Sequence, residues 1–279
     1  MPLILSRKPL DSAPQSNHLQ STSWRSLFIA SALLSFTATA HVPYLAPESF
    51  EPIRGWVSLE ASFADKFFVP EAKFDHSEFQ IVTPAGTLEK PAEQQAVRSR
   101  IVLEHQLTQE GSYRFSSGIR EGAVFKSWQQ NGKTINSRDP KQQPPAGVAL
   151  TAHFQSITLA ETYVSKGKPT ATALKPWGKG LELEFMSHPN DLYINQPVQA
   201  RLWFEGKPLA NSELQIYRAM GNVEPVPSKV TSNARGEISF EVADAATYLL
   251  LARHRAAAPA GAKAPTYSYS YSAVVEITD

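Results

Sequence analysis

The chain has 279 residues, 27 Lys and Arg against 26 Asp and Glu, and no cysteine. Disulfides, thiolate zinc sites, iron–sulfur clusters and cysteine nucleophiles are therefore excluded, and any metal must be held by His, carboxylate, backbone or a free amine. The near-zero balance gives no sign of a basic protein that captures nucleic acid or anionic lipid through its overall charge.

Arg7, Lys8 and Arg25 precede the apolar run Leu27 to Phe36 (LFIASALLSF) and the small residues Ala38-Thr39-Ala40. This is the order of a secretory signal peptide, and the run is too short to span a bilayer, which takes about 20 apolar residues. Residues 1–40 are expected to be a cleaved leader, which directs the protein to the periplasm. Arg7, Lys8, Arg25 and Asp11 leave with it, so the remaining chain, about 240 residues, is close to neutral. It starts at His41, whose α-amine and imidazole can close a chelate ring on one metal ion.

From His41 the text HVPYLAP predicts an extended segment, because Pro43 and Pro47 oppose a helix. Trp56 to Phe63 alternates apolar and polar residues with a period of two, the mark of a half-buried strand, and residues 64–70 break the pattern. Further strands are expected over 79–83, 100–107, 113–117 and 122–128. Turns fall at Pro84-Ala85-Gly86, at residues 109–112 and at Asn131-Gly132. Residues 133–147, polar and proline-rich, read as an exposed loop, and a strand pair is expected at 148–154 and 157–164.

Residues 166–180 read as a crossing between domains. Beyond them, strands are expected over 181–185, 199–204, 213–217, 237–242, 247–252 and 267–277. The last alternates Tyr267, Tyr269 and Tyr271 with serines, which puts three rings on one face. Core packing is the expectation for these rings, with a sugar-stacking platform as the functional alternative. The fold class is all-β, with two consecutive Ig-like or transthyretin-like β-sandwich domains at 41–172 and 180–279.

The run LELEFMSHPNDLYINQPVQARLWFEGKPLANSELQIYRA, with TSNARGEISFEV and TYLLLARH after it, resembles the DUF4198 proteins, described as NikM-type periplasmic components of nickel/cobalt uptake. Ala40-His41, Thr83-Pro84-Ala85-Gly86, Glu110-Gly111-Ser112-Tyr113 and Tyr163-Val164-Ser165-Lys166-Gly167 fit the same family. The resemblance implies two sandwiches, the second similar to a carboxypeptidase regulatory domain, and a role in handling transition metals. Many relatives carry Gly-His where this chain reads Ala64-Asp65, so the ligand set differs here.

Five other histidines follow His41. His188 sits in the turn SHPND, and His254 ends an apolar strand between Arg253 and Arg255. Both are candidate metal partners of His41, together with Asp65. His76, His105 and His153 lie in patterns without metal-ligand spacing and read as structural. No GxSxG, P-loop, GxGxxG or HExxH motif is present, so no catalytic residues are assigned.

The reading that follows is a non-enzymatic periplasmic protein that binds or delivers copper, nickel or cobalt. Its expected partners are the metal ion and an envelope transporter or receptor component, with neither nucleic acid binding nor a membrane span. The alternative is a non-catalytic binding or scaffolding module for a protein or glycan, acting through the tyrosine strand or the 133–147 loop.

Overall fold

Proline lacks an N–H to give to a sheet and is tolerated at sheet edges. Pro43 and Pro47 accordingly lie in the edge strand Val42–Pro47, antiparallel to Trp56–Ala64. The computed structural model describes residues 41–220 and 226–279; the expected leader lies outside the described residues. Within them the fold is all-β, broken only by the short 3-10 turn Thr172–Leu174. Among the described residues no helix is long and apolar enough to cross a membrane.

Three sheets are present among the described residues. The first has the order Val42–Pro47, Trp56–Ala64, Ile101–Gln106, Glu93–Ala96, with Ala72–Lys73 also on Trp56–Ala64. The third sets Leu181–Phe185, Val198–Phe204 and Glu237–Phe240 together. Between them runs a ten-stranded sheet whose middle strands are Glu213–Arg218, Ala246–Ala257, Thr266–Ile277, Leu150–Lys166 and Gly111–Ser116.

Leu150–Lys166 is the strand that joins the two halves. It pairs antiparallel with Gly111–Ser116 on one side and parallel with Thr266–Ile277 on the other. Successive side chains of a strand point to opposite faces. Ile157, Leu159 and Tyr163 therefore enter one core with Leu183, Ala200, Leu202 and Leu250, while Ala160 and Val164 enter another with Leu59, Leu103 and Phe115.

The same rule explains the unbroken apolar run at 248–252. Tyr248, Leu250 and Ala252 face the core of the third sheet, and Leu249 and Leu251 pack with Val42, Tyr44, Phe67 and Val274. A strand covered on both faces needs no polar alternation. The protein is thus a pair of β-sandwiches that use opposite faces of one continuous sheet.

A buried polar cluster fastens the crossing segment to this sheet. The Trp177 indole N–H and the Tyr271 hydroxyl donate to Glu161 at 2.8 and 3.0 Å, and the Arg114 guanidinium lies 3.8 Å from the same carboxylate. Glu182 accepts the backbone N–H groups of Trp177, Gly178 and Lys179.

Two expectations change. Residues 133–137 are not loop: Lys133–Ser137 forms a hairpin with Arg120–Gln130, because Asn131 and Gly132 both take positive φ and close a tight turn. The strand pair expected at 148–154 and 157–164 is the single strand Leu150–Lys166, which absorbs register shifts near 151 and 156 as bulges. The tyrosine ladder packs in the core as expected: Tyr271 is wholly buried and Tyr269 nearly so, in the core they share with Ile157, Leu159 and Leu183.

Candidate metal centre

Val42 pairs with Ala64 across the edge of the first sheet, which brings His41 and Asp65 to adjacent positions where the two strands end. The chain then turns through Lys66 to Pro70, with Val69 N–H on the Lys66 carbonyl. Phe67 pins this excursion by inserting into the cluster of Val42, Tyr44 and Leu249, edge-on to Tyr217 at 5.3 Å. The returning chain donates Glu71 N–H to the Phe63 carbonyl, and Glu71 Oε1 accepts the Asp65 N–H at 3.1 Å. Two carboxylates are thereby fixed beside one imidazole.

His41 Nδ1 lies 3.2 Å from Asp65 Oδ1 and 3.0 Å from Glu71 Oε2. Ligand atoms bonded to one ion at about 2.0–2.2 Å are separated by roughly 2.9 Å at right angles and roughly 3.4 Å at the tetrahedral angle. The two separations fall in that interval. Nδ1 is also the ring nitrogen that forms a six-membered chelate with the residue's own α-amine. All three side chains are open to solvent, between 37 and 43 % exposed. Among the described residues they are the group of three His or carboxylate side chains that could hold one ion, with ligand atoms within 4.8 Å of one another.

The expected pairing of His41 with Asp65 is thus brought together, and Glu71 is an addition that sequence reading missed. Its signal was faint: Pro70 announces the turn after which the chain returns to Trp56–Ala64.

His188 and His254 stand apart from this group. His188 Nδ1 accepts the Asn190 N–H at 3.1 Å, and Nε2 lies 3.1 Å from both the Thr170 carbonyl and Ser112 Oγ. Both ring nitrogens are occupied in holding a corner, helped by Asn190 Nδ2 donating to the Tyr163 carbonyl. His254 lies in Ala246–Ala257 with its ring 4.5 Å from that of Phe204, and burial pushes its pKa down. His105 is buried edge-on to Tyr113 and Phe115; burial lowers its pKa and the Glu89 carboxylate 3.4 Å away partly opposes the shift. His76 is exposed in a turn at positive φ.

A family model described as a domain of unknown function, DUF4198, matches residues 38–256. The chain belongs to the DUF4198 family. The matched span contains His41, Asp65 and Glu71 and, but for Ala257, every strand of the described residues before Thr266–Ile277. Among curated proteins, none matches this DUF4198 chain.

Solved structures similar to it include the tetra-tandem repeat in the extending region of a large adhesion protein. That match has 11 % identity, 85 % of this chain and 49 % of that one covered, and a TM-score of 0.22. The D0-D1 domain of intimin aligns at 12 % identity over 86 % of this chain and all of that chain, TM-score 0.23. The FN1-FN3 domains of chicken CNTN1 align at 8 % identity over 85 % and 99 %, TM-score 0.23. The chain spans about half the length of the adhesion-protein structure.

Proposed function

We propose that this DUF4198 protein is a non-catalytic periplasmic binder of one transition-metal ion, which it passes to an uptake component of the envelope. The ion is held by the α-amine and Nδ1 of His41, freed by cleavage after Ala40, and by the carboxylates of Asp65 and Glu71. The observation that carries the reading is the approach of His41 Nδ1 to both carboxylates at 3.0 and 3.2 Å. Nitrogen donors favour Cu(II) over Ni(II) and Co(II) in the Irving–Williams order, and the two carboxylates accommodate all three.

An α-amine with pKa near roughly 7.7–8 gives up its proton readily at neutral pH, so loading releases protons and weakens in acid. The exposure of the ligands suits a carrier that must surrender its ion. The resemblance to nickel/cobalt-uptake components supports reading this chemistry in a transport setting.

Titration of the processed protein with Cu(II) and Ni(II), followed by calorimetry, tests the reading. The expected result is 1:1 binding, weakened at least about tenfold by Asp65→Ala or Glu71→Ala, the scale of losing about 1.4 kcal/mol. Equal affinity in the Asp65→Ala/Glu71→Ala double variant would rule out the carboxylates as ligands.

A further inference from the structure

A second surface concentrates positive charge on a chain whose formal net charge is only +1. The hairpin Arg120–Gln130/Lys133–Ser137 and the first part of Leu150–Lys166 form an arm of the central sheet. Phe125 and Phe154 are directly paired across it, their rings parallel within 12° and 5.0 Å apart. Arg138 covers Phe125 at 4.8 Å and Arg255 covers Phe154 at 4.7 Å. Both arginines are exposed, and among the described residues neither forms an ion pair. Stacking on the rings holds the guanidinium planes in place while leaving their N–H edges free.

Two hollows lie near this stack and share His153; the register sets Lys126 opposite both His153 and Ser137, so the second opens on the reverse face of the sheet from the paired rings. One, about 450 Å³, is lined by Phe154, Arg255 and Thr266, and the other, about 290 Å³, by Lys126, Arg138 and Lys263. Asp139 is the one carboxylate among the residues lining them, and its Oδ1 accepts the Lys141 N–H. Next to the stack, on the same face of the sheet, Arg255 is opposite Ser268 and Ser268 is opposite Ser156. The half-buried serines add hydroxyl donors and acceptors beside the cations.

We propose that this face binds a carboxylate-bearing polysaccharide, with uronate groups on Arg138 and Arg255 and sugar hydroxyls on Ser156, Ser268 and Thr266. The planar guanidinium fork matches a carboxylate, and two such forks on one rigid stack read charges spaced along a chain. Single-stranded nucleic acid is disfavoured, because it binds by stacking bases on free aromatic faces. Here those faces are taken by each other and by the arginines. The site is separate from His41, and a metal-binding failure there leaves this inference untouched.

The test is calorimetric titration of the whole chain with hexagalacturonate, with maltohexaose and a dT oligonucleotide as comparison ligands. Saturable, salt-sensitive binding of the uronate is expected, with no binding of maltohexaose and weaker binding of dT. Arg138→Gln/Arg255→Gln should lose at least about tenfold in affinity, and Arg138→Lys/Arg255→Lys, which keeps the charge but not the fork, several-fold. Arg235→Gln, at the remote Glu237 pair, should change nothing. Absence of uronate binding, equal binding of maltohexaose, tighter binding of dT, or unchanged affinity in the Arg138→Gln/Arg255→Gln variant at an unchanged melting midpoint would each overturn the proposal.

Discussion

Replacing Glu161 by Gln removes one charge from the middle of the shared sheet. Glu161 and Arg114 are 2 and 4 % exposed, and the carboxylate also accepts from Trp177 and Tyr271. Breaking a buried pair by removing one partner costs about 3–5 kcal/mol, because the other charge stays buried without compensation. The Trp177 ring remains 4.1 Å from the Arg114 guanidinium, and a desolvated cation–π contact is worth about 2 kcal/mol, so the lower end of that range, about 3 kcal/mol, is expected. Urea unfolding measures this as a lower midpoint at unchanged slope. Arg114→Met/Glu161→Leu, which removes both charges, should be less destabilised than the two single changes added together, by about 2 kcal/mol. A loss under about 1 kcal/mol for Glu161→Gln, or strict additivity, would refute the claim that this pair fastens the two sandwiches to the crossing segment.

Burial lowers the pKa of His105 below 6.5, with Glu89 opposing, so the unfolded chain takes up the proton first. Its contribution is complete above about pH 6.5 and falls away as the pH drops through that value, and urea midpoints between pH 7 and 5 should flatten in His105→Leu. Gly236 has φ of 76°, and a Cβ there would meet the Leu202 carbonyl at 2.5 Å. Gly236→Ala should destabilise by roughly 1–3 kcal/mol in thermal unfolding. Glu237, held to a pKa of about 2 by Arg235, Asn233 and Arg201, favours the folded state above pH 4.5 and ceases to as the pH falls towards 2. Glu237→Gln should therefore show a shallower acid-unfolding profile over that interval.

Period-two alternation made most strands legible, from Trp56–Ala64 to Thr266–Ile277. What it could not reveal was which strands neighbour each other. Residues of Leu150–Lys166 alternate between two cores, and nothing local to 150–166 indicates that its partner is the last strand, parallel and more than 100 residues on. The hairpin at 133–137 was hidden by polar composition, because it lies at an edge where polar residues are tolerated on both faces. At the candidate metal centre the pairing of His41 with Asp65 follows from one antiparallel register. Glu71 depends on the loop anchored by Phe67, whose burial against Leu249 is a tertiary fact. The arginine and phenylalanine stack likewise joins residues 125, 138, 154 and 255, four segments that only the sheet brings together.

The central claim is that the freed amine of His41 is a ligand, and blocking that amine tests it. Two forms of the protein starting at His41 are compared by Cu(II) titration, one with its α-amine free and one with that amine acetylated. Acetylation removes the amine as a donor and leaves the His41 ring, Asp65 and Glu71 intact. The account predicts a loss of at least about a hundredfold in affinity, about 2.7 kcal/mol, in the acetylated form. Equal affinity of the two forms would contradict it.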